Sequence, residues 1–334
     1  MTENQAGRRR TLATVLAAGV MALPRTARDA AAQGTTPPVR AARMVVGFPP
    51  GGSSDVVARL YAERLRGTYA QQIIVDSRPG AGGRIGIEHV KASAADGATI
   101  LQTPASMLTI YPHLYRSLRY DPLADFIPVT PVCVFPFGFA VKADHPARSF
   151  PDFIAWARAR GGIDWASPAP GSAPHFVGVQ LSRITAIPMN HVPYRGGAPM
   201  LQDLIAGTIH AAFGVLGEQT PLAAGGQLRI LAVSSPERLP RLPEIPTLAE
   251  LGYRDLTAEE WFGVLLPAGT PQPIVTALHA AIGAAAATAG LREALARLEY
   301  APAMMEPAAF AARIRAEQQK WGPIVAASGF RPEE

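Results

Sequence analysis

The chain has 334 residues, 48% of them hydrophobic, enough to build one large or two medium domains with proper cores. Its formal net charge of +5 is concentrated at the start: five arginines against Glu3 and Asp29 within residues 1–33 carry most of it. No later basic run is interleaved with aromatics, which argues against a nucleic-acid partner.

Residues 1–33 read as an export signal. Arg8-Arg9-Arg10 precedes an apolar segment from Leu12 to Leu23, too short to span a bilayer as a mature helix, and Ala30-Ala31-Ala32 offers small residues for cleavage. Arg9-Arg10-Thr11-Leu12 is similar to a twin-arginine signal, although the segment also suits the general secretory route. A periplasmic location follows as an expectation. Cys133 is the only cysteine, so no internal disulfide can form, and its neighbours Val132 and Val134 make it a buried strand residue.

The stretch from Met44 to Leu60 predicts a strand, a tight turn and a helix. Pro49-Pro50 stops the strand, because proline has no N–H to give to a ladder. Gly51 and Gly52 allow positive φ and close approach of a ligand. Ser53, Ser54 and Asp55 are good helix-capping types, and Val57, Leu60, Tyr61 and Leu65 follow at helical spacing. The amides of such a helix start suit an anion. No lysine follows the glycines, so the nucleotide P-loop pattern is absent. A plain βα turn remains the alternative for this stretch.

A second strand, Gln72 to Val75, runs into a glycine-rich loop and a helix that carries Ile85, His89 and Val90. Gly80 and Gly82 call for a third glycine where Ile85 stands, so this is no dinucleotide fingerprint. Thr99 to Gln102 is a third strand, ending at Thr103-Pro104-Ala105-Ser106 before a short helix. Phe126 to Val141 gives β-rich segments with breaks expected at Pro131 and Pro136. From about residue 142 strands alternate with helices, which predicts a second unit with a mostly parallel sheet. Trp261 to Pro267 is a strand returning to the first unit, followed by three helices. The predicted division is 40–141 plus 256–334 for one domain and 142–255 for the other.

Two further turns repeat the first. Ser167 to His175 follows a strand and offers Gly171 and Ser172, and Tyr194-Arg195-Gly196-Gly197 does so again. In open α/β sheets ligands bind outside the carboxyl ends of strands, so such turns from two domains would enclose one cleft. His175 reads either as a ligand or as a loop-bridging residue, and Arg195 either pairs with a carboxylate or is a surface charge. Ser172 and His175 do not form a hydrolase triad, and the seven histidines include no pair at metal-binding i, i+4 spacing. Neither catalysis, a metal nor a cofactor is expected.

Taken together the segments Phe48 to Arg59, Arg78 to Gly86, Val192 to Pro199, Trp261-Phe262-Gly263 and Pro267 to Pro271 resemble the substrate-binding proteins of tripartite tricarboxylate transporters, the Bug family. The resemblance implies a periplasmic-binding-protein-like fold of type II: two α/β domains joined by crossover strands, with a ligand cleft between them. It implies a monomeric receptor that binds a small organic carboxylate and hands it to integral-membrane permease subunits. Delivery to a sensor protein and an enzyme on the same scaffold are the alternatives. The implied contacts are Phe48, Pro49, Gly51, Gly52, Ser53, Ser54 and Asp55 on one side, with Thr103 and Ser106 at the neighbouring strand end. Ser167, Gly171, Ser172, His175, Tyr194, Arg195 and Gly196 face them, largely through backbone N–H groups and ordered water. Ser77, Pro170 within the loop 169–173, and Gly214 depart from the family pattern and bear on the specificity end of the cleft.

Overall fold

The structure is a computed structural model and describes residues 39–331; the expected export signal lies outside the described residues. Strand β1 (Val39–Val46) ends three residues before Pro49, and its last three side chains are fully buried. Helix α1 (Ser53–Leu65) buries Val57, Tyr61 and Leu65 of the stripe expected from its spacing, together with Ala58, while Leu60 is half-buried at the edge of the core. After β2 (Ala70–Ser77), α2 (Arg84–Lys91) and β3 (Thr99–Pro104), the strands pair in parallel with β1 at the centre. On α2, which carries Ile85, His89 and Val90 as expected, Ile87 and Val90 make the core contact while Ile85 is 50% exposed.

Two short helices, α3 (Ala105–Thr109) and α4 (Tyr111–Leu114), lead to β4 (Phe126–Lys142). The breaks expected at Pro131 and Pro136 do not occur: β4 is one strand of 17 residues. Its register slips between Pro128 and Thr130 and between Pro131 and Cys133, so the ladder bulges where a proline cannot donate. Pro136 is the last residue paired with the returning strand, and Phe137 already faces a different partner.

The second lobe contains α5 (Phe150–Arg160), β5 (Ile163–Ser167), α6 (Ala173–Thr185), β6 (Met189–Pro193), α7 (Gly197–Ala206), β7 (Ala211–Val215), α8 (Leu216–Ala224) and β8 (Leu228–Val233). β5 runs parallel to β6 and β7, but β4 is antiparallel to both β7 and β8, so the sheet is parallel only away from the shared strand. β9 (Glu259–Pro267) then returns between β3 and β4, antiparallel to each. α9 (Gln272–Ala287), α10 (Ala289–Ala296), the short β10 (Ala301–Pro302) and α11 (Pro307–Ser328) complete the first lobe.

The hydrogen-bonded path β2-β1-β3-β9-β4-β7-β5-β6 is therefore continuous, with β4 passing from one lobe to the other. Phe135 and Phe137 of β4 belong to a core built around Met44, Tyr111 and Trp261. Phe139 belongs to a separate core with Phe150, Trp165 and Phe213. These are the two α/β lobes of a type II binding-protein fold, and Cys133 is buried in the first of them. Among the described residues no single helix is long and apolar enough to cross a membrane.

Candidate functional site

The turn before α1 is closed by its own acid. Gly51 takes φ +84°, a conformation costly for any residue with a Cβ, and its amide donates to Asp55 Oδ2 at 3.0 Å. Asp55 also accepts from Arg59 Nε at 2.8 Å and Nη2 at 3.0 Å. Burial raises the Asp55 pKa, but the Arg59 guanidinium and the Gly51 amide outweigh it and hold the carboxyl below the usual range. Asp55 thus fixes the loop and faces away from the cleft. Gly52 has ordinary backbone angles, so of the two glycines only Gly51 supplies the positive φ.

The turn before α6 is closed by hydroxyls and a histidine. Ser167 Oγ bonds the Ala169 carbonyl and His191 Nε2, and Ser172 Oγ donates to Ala169 O at 2.6 Å. The Gly171 amide donates to His175 Nδ1 at 2.9 Å, which makes His175 the bridge across its own loop. Burial pushes the pKa of His175 down to about 3 and that of His191 to about 4, so both rings are neutral at pH 7. At the third turn the Tyr194 hydroxyl donates to Asp203, the Gly196 amide donates to Pro168 O, and Arg195 is exposed.

Between these turns lies an inner chamber of about 60 Å³. The starts of four helices meet there: Gly52 to Ser54 of α1, Ser172 and Pro174 of α6, Gly196 to Pro199 of α7, and Glu218 in the first turn of α8. Phe48, Met107, Phe135, Phe137, Val215 and Phe262 supply apolar walls. An outer cleft of about 1150 Å³ adjoins it and shares Phe48, Pro49, Pro168 and Ala169. The outer cleft carries His175, His191, Tyr194 and the arginines Arg84, Arg195 and Arg331.

Two carboxyls line the inner chamber. Glu218 Oε1 reaches from α8 across to the first lobe and accepts from the Ser53 amide at 2.7 Å, while its Oε2 is buried without a partner. Glu260, on β9, accepts from both the amide and the hydroxyl of Ser106, and Ser106 Oγ in turn accepts from the Ala173 amide at 2.9 Å. Burial raises the pKa of Glu218, and it pushes Glu260 up to about 7. A Cβ at Gly197 would overlap the Glu218 carboxyl, so a glycine is needed there for the acid to fit.

Of the residues singled out from sequence, Phe48, Pro49, Gly52, Ser53, Ser54, Ser172 and Gly196 line the inner chamber, and His175, Tyr194 and Arg195 line the outer cleft. Gly51, Asp55, Thr103, Ser106, Ser167 and Gly171 line neither. Ser106 and Gly171 stand directly behind the wall. Sequence reasoning missed Glu218 and Glu260. An acid in the first turn of a helix reads as dipole compensation, and Glu259-Glu260 before Trp261 reads as a strand edge, so neither carried a signal. Among the described residues no group of His, Cys, Asp or Glu side chains is placed to hold a metal ion.

Two lobes that share a strand, with helix starts facing a common hollow, are the arrangement of a solute-binding protein. Residues 57–330 match the model of the tripartite tricarboxylate transporter family receptor, and the chain belongs to this family. It is 34% identical to Protein BugT of Bordetella pertussis over 298 residues, 89% of this chain and 91% of BugT. Among solved structures it is similar to Rpa4515 of R. palustris with adipate, at 32% identity and TM-score 0.85, covering 89% of this chain and 99% of that one. It is also similar to MatC of Rhodopseudomonas palustris with bound malate, at 27% identity and TM-score 0.80, covering 86% and 99%. The family is one of receptors, and a further similar structure, at 28% identity and TM-score 0.82, is the periplasmic binding protein BugD; these are substrate-binding proteins rather than enzymes.

Proposed function

We propose that the chain is an extracytoplasmic receptor that captures a small carboxylate-bearing solute between its lobes. It then delivers the solute to the integral-membrane permease subunits of a tripartite transporter. In this reading residues 1–33 are a cleaved export signal, and 40–141 with 256–334 close on 142–255 about the shared strand β4. The observation that carries it is the convergence of the α1, α6 and α7 helix starts on one hollow, whose positive ends favour an anion. The family and its adipate- and malate-bound neighbours support the same ligand chemistry. Charge-assisted hydrogen bonds contribute about 1.5–3 kcal/mol each, so about four approach the ~8 kcal/mol of micromolar binding once closure is offset. A ligand closes the lobes only through its differential affinity for the closed state. Calorimetric titration of the chain with mono-, di- and tricarboxylates and with uncharged analogues tests the reading. Binding confined to uncharged compounds overturns it.

A further inference from the structure

We propose that Glu218 holds the ligand's carboxylate through a shared proton: its Oε2 takes up a proton from solvent and donates it, as a carboxylic acid O–H, to the incoming anion. This rests on the receptor reading above and adds to it the side chain that recognises the anion and the proton that accompanies it.

Three observations carry the proposal. Glu218 reaches from the second lobe into the chamber on which the starts of α1, α6 and α7 converge, where an anion is drawn in. Its Oε1 accepts from the Ser53 amide at 2.7 Å, which fixes that oxygen as an acceptor and leaves Oε2 to carry the hydrogen. Oε2 itself has no hydrogen-bond partner, is out of contact with solvent and lies against Gly197 at the start of α7. A buried carboxyl oxygen in that position is costly until it is paired. Thirdly, no lysine, arginine or histidine is among the described residues that line the chamber. A ligand carboxylate therefore meets the chain's own carboxyl with no cation between them. One proton turns that repulsion into a charge-assisted O–H···O hydrogen bond, shorter and stronger than a neutral one. An apolar site that keeps a carboxyl neutral makes it such a donor.

The surroundings of Glu218 act in the same direction. Burial raises its pKa against the pull of Ser53. It is the only charged residue of α8, and the charged groups on the elements packed around it are already engaged. Asp55 on α1 is held by Arg59 and the Gly51 amide, and Asp203 on α7 by Tyr194. Lys142 on β4 pairs with Asp144, Arg229 on β8 donates to the carbonyls of Ala143 and Ala147, and Glu299 beside β10 pairs with Arg241. Tyr300, which faces Glu218, is kept protonated by burial. Glu260 shares the chamber, accepts from Ser106 and titrates at about 7, so it is the competing source of any pH dependence. His175 and His191 in the outer cleft, at about 3 and about 4, stay neutral between pH 6.5 and 8.5.

The test is calorimetric titration of the chain with butyrate, glutarate and adipate from pH 6.5 to 8.5, where the acids themselves are ionised. The wild type should lose affinity by about fivefold or more across that range, with proton uptake on binding read from the heats in buffers of different ionisation enthalpy. Glu218→Gln presents the same acceptor to Ser53 and a permanent N–H where the acid would carry O–H. Its affinity should stay constant within about twofold over the range and exceed that of the wild type at pH 8.5. Glu260→Gln should keep the wild-type slope. A wild-type chain that binds these acids with neither pH dependence nor proton uptake overturns the proposal, whether or not the variants fold, and leaves the receptor reading standing. A folded Glu218→Gln variant that retains the slope overturns it as well, as does a slope that disappears only in Glu260→Gln. Binding of none of the acids at any pH refutes both.

Discussion

Helix α5, away from the cleft, and helices α1 and α6, at the cleft, satisfy their first amides in different ways. α5 is capped locally: Ser149 accepts from the Asp152 amide and Asp152 returns a bond to Ser149, a capping box four residues long. α1 has Gly52 at its cap position, with no side chain to offer, and the Ser172 cap of α6 turns its hydroxyl back to Ala169 O, so neither makes a side-chain cap bond of its own. Their first amides are met from the opposite lobe instead, Ser53 by Glu218 and Ala173 by Ser106. The exchange is reciprocal, with one acceptor supplied by each lobe. A helix start that serves a fold ends its hydrogen bonding within a few residues; one that serves a cleft leaves it to whatever closes the cleft.

The strongest way to break this contrast is Ser106→Ala. It leaves the Ala173 amide without its acceptor and takes a donor from the buried Glu260 carboxyl, so urea denaturation should show a loss of about 3–4 kcal/mol. A loss below about 1 kcal/mol would mean that the cross-lobe bond contributes little to holding the lobes together.

Next in size is a pH effect. Glu260 titrates at about 7 in the folded chain against an ordinary value of 4.5, so the folded state binds the extra proton. Its contribution to stability is full below pH 4.5 and is lost as pH rises through 7, a difference of about 3 kcal/mol. His175 and His191 act in the opposite sense: held neutral by burial, they withdraw stability as pH falls below 6.5. The quantity to measure is therefore the difference in melting temperature between the wild type and Glu260→Gln across pH 4.5 to 8. It should grow with pH in favour of the variant. A flat difference would refute the assignment.

The smallest effect sharpens the local side of the comparison. Ser149→Ala should cost about 1 kcal/mol of stability and leave ligand affinity unchanged, since its cap is contained within α5. A shift in affinity on titration with the best-bound carboxylate would show that α5 communicates with the cleft.

Much of the molecule was legible without coordinates. The proline pair after β1, the small polar residues before α1 and the apolar stripe at 57, 61 and 65 are local signals, and the strand–turn–helix unit they announce formed as expected. The same holds for the loops that bring Ser53, Ser172 and Gly196 to one hollow. Helix α8 was less visible because Pro221 interrupts its pattern, although a helix does form there. The continuity of β4 was hidden for a related reason, since bulges and a change of partner absorb its prolines only when neighbouring strands are in place.

Local signals in the sequence account for the order of the elements and for the backbone turns that open on the cleft. Those depend on periodicity and on proline and glycine punctuation, which act over a few residues. Only the tertiary structure decided which side chains occupy the chamber. Glu218 meets Ser53 across 165 positions of chain, and Glu260 meets Ser106 across 154. A carboxyl becomes buried with an unpaired oxygen only when a second lobe removes its water, and that depends on docking, which no stretch of neighbouring residues encodes.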